Sequence, residues 1–214
     1  MSNILVFGDS NTWGLIPGTT NRYPWGVRWP SLVQQRFPGD RIIEDGLCGR
    51  TTVFEDALRP FRKGADTLRL TLESNYPLDG AVIMLGTNDC KALFGANSHI
   101  IGKGLERCLD ELEKYIEPSK ILVVSPITLG KEVWLPEKDP EFNETSVLTS
   151  RQLKEEYKKI AGKRENAFLA ASDVAAPSSV DDEHMDEKGH RKLARAISEK
   201  LVEMNLAKEI PVTA

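Results

Sequence analysis

The chain has 214 residues, 28 Lys and Arg against 32 Asp and Glu, a net charge of −4, and 40% hydrophobic content. That size fits a single domain over residues 1–214, whose core can bury roughly 70% of the unfolded surface without a disulfide or metal staple. The mild acidity argues against nucleic acid as a partner, and apolar runs as short as residues 81–85 argue against membrane insertion.

Taken in order, residues 4–7 (Ile-Leu-Val-Phe) predict a first strand that runs into Gly8-Asp9-Ser10. An irregular stretch follows at 11–28, then a short helix at 29–37 that Pro38-Gly39 stops. A second strand at 41–44 leads into Gly46-Leu47-Cys48-Gly49-Arg50-Thr51, and a third at 81–85 leads into Gly86-Thr87-Asn88-Asp89. Ile101, Leu105, Cys108, Leu109, Leu112 and Ile116 fall on one face of a helix by three/four spacing. A fourth strand at 121–124 precedes a second long loop at 126–144, and residues 150–163 are rich in helix formers. The fifth and weakest strand is 167–170, and Leu193, Ile197 and Leu201 mark a last helix. Continuous apolar strands alternating with amphipathic helices predict a doubly wound α/β sandwich with a parallel sheet and right-handed crossovers. Both long loops follow strands, so both belong at the carboxyl edge of the sheet, where such folds bind ligands.

The residues after four of the strands carry the chemistry. Ser10 is a nucleophile candidate on a tight turn, although a serine there also serves as a helix cap. Gly49 offers an unobstructed backbone N–H, and Asn88 a side-chain N–H, for a developing oxyanion; singly, each also reads as an ordinary turn residue. Asp181 stands three residues before His184, the spacing that lets a loop carboxylate orient an imidazole, or else a plain acidic loop. Together they supply a nucleophile, oxyanion donors, a base and its orienting acid at one edge, the parts acyl transfer requires. His99 and His190, Asp9 and Asp89, and Cys48 and Cys90 take structural readings. Three unpaired cysteines and the absence of a basic segment before the first apolar run lead to an expectation of a cytoplasmic protein, and no C-x-x-C pattern suggests zinc.

The segments FGDSNTWG, GLCGRTT, LGTND and DDEHMDEKGH resemble, in order and across nearly the whole chain, the SGNH or GDSL-like hydrolase superfamily. FGDSNTWG, VRW, RTT, VIMLGTNDCKALF and ILVVSP are similar to its bacterial arylesterase and acyltransferase (perhydrolase) branch. The resemblance implies a three-layer α/β/α, flavodoxin-like sandwich with about five parallel strands. It implies a triad of Ser10, His184 and Asp181, and oxyanion donors on the Ser10 N–H, the Gly49 N–H and the Asn88 side chain. It also implies a homo-oligomer and no cofactor. Two positions depart from the pattern: Asn11 replaces the Leu of GDSL, and Asp182 stands where Gly is often found. The Asp182-Glu183 pair is expected to add negative charge near His184, favouring imidazolium.

The expected activity is hydrolysis, and acyl transfer, of small or aryl esters with short acyl groups. Trp13, Trp25, Trp29, Phe94 and Trp134 lie in or near the active-edge loops and can form a narrow apolar pocket for such substrates, or can simply anchor those loops. A carbohydrate esterase is the nearest alternative. A metal-assisted phosphohydrolase using Asp9, Asp89, Asp181 and His184, and a non-catalytic carbohydrate- or acyl-binding module, are more distant ones.

Overall fold

A computed structural model describes residues 1–208. Five strands, β1 (Asn3–Gly8), β2 (Arg41–Gly46), β3 (Gly80–Met84), β4 (Ile121–Ser125) and β5 (Ala167–Ala170), form one parallel sheet in the order β2-β1-β3-β4-β5. Alternation along each strand divides its side chains between two helical layers. Leu5, Phe7, Ala81, Ile83, Ile121 and Val123 face one layer, made by α3 (Gly64–Asn75), α4 (Ser98–Leu112) and α5 (Glu144–Lys163). Ile4, Val6, Val82, Met84, Leu122 and Val124 face the other, made by α2 (Trp29–Arg36) and α6 (Glu187–Glu203). Each fully buried aliphatic or aromatic side chain in these layers contributes about 1.5–3 kcal/mol relative to exposure. This is the expected α/β/α sandwich.

The helices start where their caps allow. Asn97 accepts the Ile100 N–H at the head of α4, and Asp186 accepts the Gly189 N–H at the head of α6. A reciprocal capping box between Asn143 and Ser146 opens α5, so that helix begins six residues before its expected start at residue 150. The sequence reading missed α3. Its Thr67-Leu68-Arg69-Leu70-Thr71-Leu72 alternates like a strand, yet only Leu68 and Leu72 reach the core while Leu70 is 67% exposed. Residues 11–28, expected to be irregular, begin with part of a one-turn helix, α1 (Ser10–Trp13).

The strand register positions the site. Gly8 lies opposite both Gly46 and Met84, so the chains leaving β1, β2 and β3 depart side by side at the carboxyl edge. Helix α6 runs back from that edge, and Met1 and Lys208 consequently line one cavity of about 370 Å³ at the opposite, amino-terminal edge. No helix among the described residues is long and apolar enough to cross a membrane.

Candidate active site

Four segments converge at the carboxyl edge. Asp9 caps α1 by accepting the Asn11 N–H at 3.0 Å, which makes Ser10 the first residue of that turn, 3% exposed. A side chain at Gly46 would collide with the Trp13 backbone, so glycine at the end of β2 lets α1 sit against it. Gly49 has φ +81° in the turn closed by the Arg50 N–H to the Leu47 carbonyl, 3.1 Å. The Arg50 guanidinium donates to the Gly8 carbonyl at 3.0 Å, and its own carbonyl accepts one Asn88 amide N–H at 3.1 Å. The three strand-end segments are thereby tied together. Among the described residues neither the Ser10 nor the Gly49 N–H is engaged in a turn or loop hydrogen bond to backbone.

The fourth segment, residues 178–185, is closed by Ser178 N–H to the His184 carbonyl, 2.8 Å. Asn11 joins it to the Ser10 turn: its amide donates to the Glu183 carbonyl at 3.3 Å and accepts the Met185 N–H at 3.0 Å. The departure from GDSL therefore has a structural use that an apolar side chain cannot supply, and the pattern gave no sign of it.

His184 Nε2 lies 2.9 Å from Ser10 Oγ, and His184 Nδ1 lies 2.8 Å from Asp181 Oδ2. In the neutral ring the network places the proton on Nδ1, directed at the carboxylate, and leaves Nε2 to accept the serine hydroxyl. Asp181 also accepts the N–H groups of Gly18, Glu183 and His184 at 2.9–3.0 Å. Burial would raise its pKa, but the bond to His184 and these backbone donors hold it below the ordinary carboxylate value.

The expected acidic pair beside His184 is divided by the backbone. Asp182 has φ +58°, in the left-handed region that explains why glycine suits this position, and its carboxylate turns away to Lys138 (2.9 Å) and the Glu132 N–H (3.0 Å). Glu183 alone faces the imidazole, with Oε1 3.6 Å from Nε2. Burial pushes Glu183 up to about 7. Burial alone would lower His184, but the charges of Glu183 and Asp181 outweigh it and raise it to about 9. Asp9 and Asp89 are both raised by burial to about 6; they hold their loops through Asn11 and through the Thr52 N–H and hydroxyl.

Ser10, Gly49, Asn88, Asp181 and His184 line a cavity of about 290 Å³ together with Glu183, Arg59, Lys91, Lys138 and Asp139. The aromatic pocket drawn from the sequence is not what lines it. Trp13 lies under the Arg22 guanidinium, Phe94 stacks on Phe54 at 5.0 Å, Trp134 packs against the α3–α5 layer, Trp29 is buried in the opposite layer, and Trp25 is 59% exposed. These rings anchor loops or fill the core, while charged side chains surround the nucleophile. Cys48 also lines the cavity as a thiol whose pKa burial raises to about 11. His190 is buried and accepts the Trp29 N–H at 3.3 Å, and His99 pairs with Glu156 at the surface. Of the residues considered as metal ligands, Asp9 and Asp89 are committed to Asn11 and Thr52, and Asp181 and His184 to each other; among the described residues no three His, Cys, Asp or Glu side chains gather as a metal site.

The sheet and the serine–histidine–aspartate series at its carboxyl edge define a hydrolase of the α/β/α class. Residues 6–192 match the model of the GDSL-like lipase/acylhydrolase family, and the chain belongs to that family as a carboxylic ester hydrolase. It is similar to the native aryl esterase of M. smegmatis, with 30% identity, a TM-score of 0.88, and coverage of 95% of this chain and 100% of that one. A carbohydrate acetylesterase from Sinorhizobium meliloti is 31% identical, with a TM-score of 0.86 and coverage of 95% and 100%. The lipase/acylhydrolase of Enterococcus faecalis, 18% identical over 99% of this chain and 100% of that one with a TM-score of 0.72, shares the fold. No curated protein matches the chain. The family and these neighbours agree with the SGNH superfamily and arylesterase branch that the motifs resemble.

Proposed function

We propose that the protein is a serine esterase that acts on small esters with short acyl groups through an acyl-enzyme on Ser10. His184 Nε2 takes the Ser10 proton as Oγ attacks the ester carbonyl, and Asp181 stabilises the imidazolium that forms. The oxyanion is held by the Ser10 and Gly49 N–H groups and by the second N–H of Asn88. Each such donor is worth about 3–4 kcal/mol of barrier. His184 then protonates the departing alcohol, and water, or an added alcohol, releases the acyl group.

The observation that carries this reading is the pair of contacts at 2.9 and 2.8 Å that runs from Ser10 through His184 to Asp181. A cavity of about 290 Å³ supports short acyl chains over long ones. Its charged lining favours a polar alcohol portion, as in carbohydrate esters, over an aryl one. The test is a p-nitrophenyl ester series from acetate to decanoate on wild type and Ser10→Ala, with organophosphate labelling. Expected are a maximum at the shortest esters, a loss of at least about 10³-fold in kcat for the variant, and a label on Ser10. Undiminished turnover by Ser10→Ala would overturn the reading.

A further inference from the structure

Glu183 differs from the other acids of the cavity. Asp181 is saturated with donors, and Asp182 is occupied by Lys138 and a backbone N–H. The Glu183 main chain is gripped on both sides, its N–H by Asp181 Oδ1 at 3.0 Å and its carbonyl by the Asn11 amide at 3.3 Å. Its side chain is therefore delivered to the cavity from a fixed backbone. The residue is only 5% exposed, yet no hydrogen bond to its carboxylate forms among the described residues. Its charge contact is with His184 Nε2, 3.6 Å from Oε1. The carboxylate lines the cavity with its hydrogen-bonding capacity unused by the protein, so its donors come from whatever enters the cavity, water or an incoming molecule.

The position of that donor follows from the chemistry. The departing oxygen must come within hydrogen-bond reach of Nε2, roughly 3 Å, to receive its proton. Glu183 Oε1 lies 3.6 Å from the same nitrogen and lines the same cavity, so the carboxylate and the departing oxygen share the space around Nε2. The nearest donor an alcohol can present there is a hydroxyl on the carbon next to the one that bears the ester oxygen. A phenol or a simple alkanol has none.

We propose that Glu183 is a specificity-determining residue that accepts a hydrogen bond from a hydroxyl vicinal to the ester oxygen, so that monoesters of vicinal diols and polyols are the preferred substrates. The proposal rests on the reading of His184 as the group that protonates the departing alcohol. A hydrogen bond to a charged acceptor is expected to give on the order of 10–100-fold in kcat/KM. The same contact also opposes approach of the carboxylate to Nε2 by engaging it elsewhere, which helps the imidazolium deliver its proton to the leaving oxygen and not to Glu183.

The experiment compares three acetates of similar size on the full chain at pH 8: 2-hydroxyethyl, 2-methoxyethyl and propyl acetate. At that pH Glu183 is ionised, being above its value of about 7. Rates are divided by each ester's own alkaline hydrolysis rate. Wild type is expected to favour 2-hydroxyethyl acetate by roughly 10–100-fold over both others. Glu183→Leu should bring the three within about threefold, and Glu183→Gln, which keeps an uncharged acceptor, should fall between. Equal rates on the three esters by wild type, or a preference that survives in Glu183→Leu, would overturn the proposal. If the Leu variant does not fold, the wild-type ratios and the Gln variant still decide it. Turnover of all three esters by Ser10→Ala would instead defeat the underlying esterase reading, a separate and recognisable failure.

Discussion

Replacing Glu183 with Gln removes one charge 3.6 Å from His184 Nε2 and should move the pH–rate profile downward. Coulomb's law at that separation gives about 1 kcal/mol in water and about 4–5 kcal/mol at an effective dielectric of about 20. At 1.36 kcal/mol per pKa unit, those bounds correspond to roughly one to three units. In wild type the imidazole is raised to about 9, because Glu183 and Asp181 outweigh burial. Only neutral His184 can accept the serine proton, so kcat/KM of the free enzyme should climb with pH and reach its plateau above about 9. In the variant the climb should end one to three units lower. At pH 7, activity as a fraction of each enzyme's own plateau should then be roughly ten- to a hundredfold greater in Glu183→Gln. The assay is pH-stat titration of the acid released from a simple alkyl acetate between pH 5 and 10, at substrate well below KM. A wild-type midpoint near the ordinary histidine value of 6.5, or a variant midpoint unmoved or raised, would refute this account of the site's electrostatics.

Three other outcomes follow from named contacts. Gly49→Ala puts a Cβ at φ +81° and 3.1 Å from Arg59 Cδ; the turn must shift its N–H, and kcat should fall by roughly 10–100-fold with a smaller change in KM. Asn11→Leu strands the buried Met185 N–H and the Glu183 carbonyl; urea unfolding should report a loss of about 2–4 kcal/mol, together with reduced kcat as the His184 loop loses its tie to Ser10. Asp9 titrates at about 6 in the fold against 3.8 ordinarily, so its protonated form contributes stability that is present below about pH 4 and lost as pH rises through about 6. Asp9→Asn abolishes that titration, and the difference in unfolding free energy between pH 4 and pH 7 should change relative to wild type by roughly 2–2.5 kcal/mol. An unchanged difference would show that Asp9 ionises freely.

The sheet was legible because its inner strands β1, β3 and β4 are continuous apolar runs buried on both faces, and the bounds of β5 agree with the sequence while the others differ by a residue or two. Helix α3 was hidden because two core leucines four residues apart carry too weak a helical signal against a pattern of alternation. The candidate nucleophile, base, acid and oxyanion donors could be found because each follows a strand or precedes the last helix, and the parallel topology brings such segments to one edge. What surrounds them was not legible. Whether Trp13 or Trp134 faces the cavity or the scaffold depends on side-chain direction in a single helical turn or a loop, neither long enough to show a period. Likewise Asp182 and Glu183 are chemically alike in the sequence, and only the left-handed backbone at Asp182 sends one to Lys138 and the other to His184.

The shared cavity of Met1 and Lys208 has a practical consequence. Both residues lie across the sheet from the nucleophile. A support or fusion partner joined near either of them would hold the molecule by its base and leave the mouth of the ester cleft turned toward solution. Attachment through Arg59 or Lys138 at the rim would occlude it.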